Sequence, residues 1–546
     1  MSYNVNDLLD RYSRLKSRRS SWNTIYNMIA RRCDPKNASF YDEAYQPDSV
    51  DQGTKRFDST VTLAAPKWAA AIDSLTTPRN EIWHSITTTD ERINEKYKTW
   101  LESVTNTLFR LRYAASSNFS NANSNALLTE CFYGSAPFRV TRNAAGNGIS
   151  YACEPLREFY VDTDHENKID TFVKHIDFTT RQAIQHFGDS TPEAIKSCGD
   201  IYKTWEFIQM IFPNDDYRSR SANPREKRFA SVYISVDEKK IISVGGMEIL
   251  PFIWQRYDVL PSTLEAYGYS PVMLVMPEVR TLNSMTFSNL QTGDRMSNPT
   301  LLTTEDDILA QSYFANGTIV PGGLDANGNQ RARVLDLPGQ LPFSVEMIKS
   351  FQDVIRQALN LDLFQIIVNK PDMTATEVLQ RAAEKASLLA PFTSRRECEF
   401  LSPLVQKELE IAFEIGEIKD IPDEVREAMM TGSAKFSINY DSPIRRAQKA
   451  ESGMAMVRVL QMTSALSAFS NVKNEINGHR TISKYRDIMG APADMLNTDE
   501  ERAAADEADA QAQQTQQMLA AAPVISDTAK TLSGIQSSGG LLGGGL

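Results

Sequence analysis

The chain has 546 residues, 41% of them hydrophobic and 9% aromatic, enough for packed cores in about three or four domain-sized units and too many for a disordered body. Its 69 acidic side chains outnumber 58 basic ones, for a formal net charge of −11. That balance argues against a tight, sequence-specific grip on nucleic acid, which needs lysine and arginine to neutralise phosphates and release their counterions.

Residues 6–32 read as a basic amphipathic helix carrying Leu8, Leu9, Tyr12, Leu15, Trp22, Ile25 and Ile29, a surface helix packed by one face. Residues 36–56 are polar and turn-rich, and helical signals return at 59–76 and 92–113. From about 128 to 256 the pattern becomes strand-like, at 138–141, 160–161, 171–173, 230–234 and 240–244. An α+β module is expected there.

From 267 to 390 the chain reads as a helix, a compact β-rich excursion and a second helix, followed by a short loop and a long helix. Val272, Val275, Val279, Leu282 and Leu290 recur at helical spacing in the first helix, and Val345, Ile348, Phe351, Ile355 and Leu359 in the second. Between them, 299–343 holds β-favouring runs at 300–304, 317–320 and 332–335, with turn signals at 321–323 and 326–329. Thr374 and Glu377 have capping-box spacing at the start of the long helix. A helical hairpin with a β module at its tip cannot bury both faces of its helices within one subunit, so it points to assembly; an ordinary β-hairpin inserted in a helical domain fits the same periodicity. Pro391 and Pro403 should kink or interrupt the long helix, since each lacks an amide donor. A further helical region is expected at 443–490, and from about 500 the chain turns Ala-, Gln- and Glu-rich, then Ser- and Gly-rich, a composition that builds no packed core.

Chemistry-bearing motifs are scarce. No Walker A sequence is present, which gives no basis for an ATP-driven motor. The histidines His84, His165, His175, His186 and His479 form no HExxH or paired-ligand spacing. His175 and Asp177 flank Ile176 on one strand face, as a metal pair or a solvated pair. Asp325, Asn327, Asn329, Arg331 and Asp336 match a calcium-loop register, but Gln330 stands where such a loop needs glycine and Asp336 where it needs glutamate. An Asn-Gly hairpin turn accounts for the same residues without an ion. Ser270 and Cys131 lack the context of a catalytic nucleophile. No catalytic residue, metal or cofactor is expected. Cys33, Cys131, Cys153, Cys198 and Cys398 are scattered and odd in number, which fits reduced thiols. No stretch approaches the roughly 20 apolar residues of a membrane helix, and the start of the chain has no basic and then apolar leader, so neither membrane insertion nor secretion is expected.

An ordered set of motifs carries a resemblance. Arg14-Leu15-Lys16 to Trp22 with Arg31-Arg32-Cys33-Asp34-Pro35, Phe57-Asp58-Ser59-Thr60 with Ala64-Ala65 and Leu75-Thr76-Pro78, Tyr267-Gly268-Tyr269-Ser270-Pro271, the run from Met373 to Glu384, and Tyr440-Asp441-Ser442-Pro443 to Gln448 follow one another as in the family. Across roughly residues 5 to 500 the chain resembles the portal proteins, or head-to-tail connectors, of tailed bacteriophages of the podovirus type.

The resemblance implies an α+β, mainly helical portal fold assembled as a ring, a dodecamer as in the family. It implies a wing at 1–270, a stem helix at 271–297, a clip at 298–343, a second stem helix at 344–361, a channel loop at 362–376, a kinked helix and wing return at 377–430, a crown at 431–500 and a low-complexity tail at 501–546. Gln365, Asn369, Lys370 and Thr374 become candidates to line the channel, as do Lys349 and Arg356, seven apart on one helix face. A solvated or intersubunit role fits Lys349 and Arg356 equally. Arg331 and Arg333 in the clip would face DNA or a neighbouring protein. The implied partners are further copies of the chain, double-stranded DNA held without sequence preference, the terminase large subunit, a tail adaptor or head completion protein, and the major capsid and scaffolding proteins. The implied setting is the portal vertex of the virion, assembled in the host cytoplasm. On this view the acidic balance suits a conduit through which DNA slides, though it also suits plain solubility. Another oligomeric virion protein, from an internal core or tail, is the alternative; a DNA-processing enzyme is the remaining one.

Overall fold

The computed structural model describes residues 3–37, 56–218, 221, 223–260, 265–297, 301–303, 324, 327–328, 332–334, 341–361, 390–431, 435–440, 455–463, 481–482 and 485, with 504–505, 507–508 and 511–512 in the tail. Helix and strand are mixed, as an α+β reading requires. The chain divides into a unit at 1–448 and a smaller one at 449–546. Within the smaller unit, residues 455–463 form a helix.

Helix α1 (Val5–Arg32) starts where the Asn4 side chain accepts from the Asn6 amide, and buries Leu8, Tyr12, Leu15, Trp22, Tyr26 and Ile29 along one stripe. Its first half lies on an antiparallel five-stranded sheet, β4 (Phe159–Thr163), β5 (Ile169–Thr179), β6 (Thr204–Pro213), β7 (Phe229–Ser235) and β8 (Lys240–Met247), joined in sequence order. Strand alternation decides which side chains meet it: Val173, Ile208, Met210, Phe212, Ala230, Val232 and Ile234 share a core with Leu8, Tyr12 and Leu15. Each Val, Leu, Ile, Met or Phe side chain among them contributes roughly 1.5–3 kcal/mol on burial. On the opposite face, Trp205 and Phe207 pack with Ala183 of α6 (Thr180–Phe187) and Ile195 of α7 (Glu193–Lys196). A capping box between Thr179 and Gln182 turns β5 directly into α6.

A second sheet, in the order β3 (Ile149–Cys153), β2 (Ser135–Arg142), β9 (Phe252–Arg256), is also antiparallel. Helix α5 (Phe119–Tyr133) separates two large cores. Leu127, Cys131, Phe132 and Tyr133 join the core that contains α2 (Thr60–Thr76) and the second half of α1. Phe119, Ala122 and Ala126 join the other, with α4 (Lys98–Arg112) and β2. The strand-like reading from about residue 128 is therefore wrong at its start. An apolar surface on both sides of α5 leaves no 3.6-residue period to detect.

The pairing of β1 (His84–Thr88) with β12 (Phe436–Tyr440) closes the larger unit, with His84 opposite Tyr440. Residues 436–440, inside the stretch expected to form a crown, thus belong to the same core as residues 84–88. Between 390 and 414 the backbone is helical, with a π turn at Glu397–Leu401, after which Pro403 stands in the first turn of α11 (Ser402–Glu414). The Ser402 amide donates to the Glu397 carbonyl, the five-residue step of a π turn, so the helix is interrupted at Pro403 by one extra residue rather than by a sharp break.

Candidate functional site

The helical hairpin consists of α8 (Pro271–Leu274), α9 (Met276–Ser297) and α10 (Leu341–Ala358). Between α9 and α10, β10 (Leu301–Thr303) and β11 (Ala332–Val334) pair antiparallel, with Arg333 opposite Leu302. Arg331 and the candidate calcium-loop residues Asp325, Asn329 and Asp336 lie outside the described residues, as does the β-favouring run at 317–320.

Residues 267–271 form the joint on which the hairpin starts. Tyr267 is buried, its ring 5.9 Å from Trp22 and 5.8 Å from Trp254. Gly268 lies against the backbone of Gly134, the left-handed C-cap of α5 at φ 76°, and its amide donates to Ser135 Oγ at 2.7 Å. Ser270 Oγ donates to the Phe132 carbonyl at 2.9 Å and accepts from the Met273 amide at 2.9 Å, capping α8, with Pro271 in the first turn.

A second motif clamps the base of the hairpin. The Phe57 amide donates to Asn283 Oδ1 of α9 at 2.7 Å, and the Phe57 ring is 4.6 Å from that of Phe287. Asp58 accepts from Gln352 of α10 at 3.1 Å and from the Thr60 amide at 2.8 Å, so one carboxylate ties α10 to the start of α2. Val279, Leu282, Ile355 and Leu359 complete the buried seam.

The hairpin leaves apolar side chains in the open: Leu274 at the end of α8 is 75% exposed, Leu290 and Met296 of α9 58% and 63%, and Val345 and Val354 of α10 46% and 43%. Lys349 and Arg356 lie on one exposed face of α10, and Arg356 pairs with Asp353 at 3.1 Å. Gln365, Asn369, Lys370 and Thr374, and the Thr374–Glu377 capping pair, lie outside the described residues.

The charged groups that the core swallows are structural. Arg112 is fully buried; it donates through Nε to Glu408 Oε1 at 2.9 Å and through a second nitrogen to Glu408 Oε2, while Tyr151 Oη donates to Oε1 at 2.6 Å. The guanidinium lies over the Trp83 ring at 4.5 Å and beside His84, whose pKa burial and the adjacent positive charge push well below the usual range. His175 Nε2 is 2.8 Å from Glu206, a strand-face pair on β5 and β6. Among the described residues no group of three or more His, Cys, Asp or Glu is arranged to hold a metal ion.

Around the π turn, Arg256 of β9 binds Glu399 through two nitrogens at 3.0 and 2.7 Å, and Arg395 binds Asp258 at 2.9 Å. Arg396, buried, donates to Asn123 at 2.8 Å and stands 3.8 Å from the buried Glu130, which also accepts from Gln255. Burial pushes the Glu130 carboxyl up to about 8, with Arg396 and Arg395 lowering it and Glu399 raising it. The native state then keeps a proton that the unfolded chain has lost, so stability from this group is present below pH ~4.5 and falls as pH rises towards ~8. Glu130→Gln should flatten that slope, raising neutral-pH stability by on the order of a few kcal/mol; urea midpoints measured across pH 5 to 8 with an unchanged slope would contradict this.

The family model described as bacteriophage head to tail connecting protein matches residues 5–496. The chain is 25% identical to the probable portal protein of Bordetella phage BPP-1, over 97% of its own length and 96% of that protein. It is 23% identical to the portal protein of Salmonella phage epsilon15, with the same two coverages, 97% and 96%.

Proposed function

The chain belongs to the bacteriophage head-to-tail connecting protein family and has a portal role in a phage head, and on that premise we propose that it closes into a ring, a dodecamer, that conducts double-stranded DNA into and out of the head. The stem of this ring is α8 to α10, its clip the β10–β11 tip, its wing the sheets and helices before residue 271, and its crown the stretch after β12. The clip meets the terminase large subunit during packaging and the tail adaptor or head completion protein afterwards. The outer surface meets the major capsid and scaffolding proteins as the head assembles in the host cytoplasm. Gln365, Asn369, Lys370 and Thr374 are the proposed channel-loop contacts, and Arg331 and Arg333 the clip contacts. The mechanism is mechanical and electrostatic, with a structural rather than an enzymatic role for this chain.

The observation that supports this reading best is the exposed apolar surface of the hairpin. Leu274, Leu290, Val345 and Val354 lie on elements whose other faces are buried, the pattern left when a subunit's neighbours are absent. Imaging of the purified chain tests it directly. Single rings with a central pore wide enough for duplex DNA are expected, and filaments or monomers alone would defeat the reading. The double variant Leu290→Glu/Val354→Glu should fold and yet fail to close rings, because each copy would bury two unpaired carboxylates.

A further inference from the structure

The outward face of α9 differs in kind from that of α10. Along α9, Arg280, Ser284, Ser288, Gln291 and Arg295 are all exposed and fall on one side of the helix. The first part of that strip, at Arg280, Ser284 and Ser288, borders a hollow of about 600 Å³ that Pro277, Thr281, Met285 and Asn289 also line. The strip carries no carboxylate; Asp294, at its rim, is already engaged. Among the described residues neither Arg280 nor Arg295 makes an ion pair. Along α10, by contrast, Glu346, Lys349, Asp353 and Arg356 alternate in sign, and Arg356 is paired with Asp353 at 3.1 Å.

We infer that the Arg280–Arg295 face of α9 is a sequence-independent phosphate track for double-stranded DNA, and that the Lys349–Arg356 face of α10 is not. The inference rests on the portal reading and deepens it. Two guanidinium groups with no acidic neighbour on their face complement a polyanion, whereas the neighbouring copy's α10 offers a charge-balanced surface with no surplus carboxylate for them. Fifteen residues separate the arginines, about 22 Å along the helix at 1.5 Å per residue, so both reach phosphates of one duplex. Ser284 and Ser288 between them are short enough to let the sugar-phosphate backbone come close. In a ring each arginine repeats as a circle of positive charge within an otherwise acidic assembly, which holds DNA weakly enough to move.

The test compares full-length Arg280→Gln/Arg295→Gln with Lys349→Gln/Arg356→Gln, each assembled and imaged, then titrated with a short random-sequence duplex at several salt concentrations. Rings of the α9 variant should bind roughly tenfold more weakly at low salt, with the slope of log affinity against log salt shallower by about one or more. Rings of the α10 variant should keep the wild-type slope. An unchanged slope in α9-variant rings overturns the inference, as does wild-type protein that forms rings but binds no duplex. Loss of rings in the α9 variant alone overturns it too, by making that face a subunit contact. Wild-type protein that forms no ring refutes the portal reading itself, and is thereby distinguished from the other outcomes.

Discussion

Gly134→Ala should destabilise the protein by about 3–5 kcal/mol, far more than a glycine substitution in an open turn. Two effects combine. The residue sits at φ 76°, where a side chain costs about 1–2 kcal/mol. An added Cβ would also run into the Gly268 carbonyl oxygen and stand 2.6 Å from the Tyr269 carbonyl carbon. Those atoms are backbone, and Ser135 and Ser270 hold them in place, so nothing rotates aside. Gly416→Ala separates the two effects, since Gly416 has φ 74° with nothing within 4 Å of an added Cβ. It should cost only about 1–2 kcal/mol. Urea denaturation of both variants checks this, and equal losses would show that the Gly134–Gly268 contact contributes nothing.

Removing one partner of the Arg112–Glu408 pair should cost about 3–5 kcal/mol. With Arg112→Ala, the Glu408 carboxylate remains fully buried with Tyr151 as its remaining donor. The reason is desolvation: the charge has left water, and its counter-charge has gone with the guanidinium. Arg112→Met/Glu408→Leu should recover most of the loss, because two apolar side chains of similar size leave no stranded charge. A double variant no more stable than Arg112→Ala in urea midpoint would show that the site needs the ion pair for shape as well as for charge. Burial of His84 beside the same guanidinium adds an acid limit. His84 binds its proton less readily in the native state than in the unfolded chain, so this part of the core loses stability as pH falls below ~6.5.

Much of the larger unit is written locally. The stripe of α1, the helices α2, α4, α9 and α10, and the strands β2, β4, β5, β7 and β8 follow from periodicity and β-branched runs. Tyr267-Gly268-Tyr269-Ser270-Pro271 stood out as a family motif, and each of its residues has a physical task at one joint. What periodicity misses depends on distant partners. β1 exists because residues 436–440 return to it, and α5 lies between two cores that its own sequence does not announce. Arg19, a charged residue at a stripe position of α1 between Leu15 and Trp22, is buried under the Tyr160 ring at 3.9 Å, donating to the carbonyls of Leu156, Arg157 and Phe159, and no spacing in the sequence announces those partners. The candidate site was legible in the same measure. A seven-residue spacing correctly put Lys349 and Arg356 on one face, but it did not reveal that acidic neighbours share it, nor that Arg280 and Arg295 lack such neighbours.

The position of α5 has a thermodynamic consequence. One helix supplies side chains to both large cores, so neither core can melt while the other keeps its packing. Its end, Gly134, is also the seat of the joint that sets the hairpin. The sheets and helices before residue 271 and the base of the hairpin therefore share one cooperative transition, and a strain at the hairpin is resisted by the stability of the larger unit rather than by a local hinge.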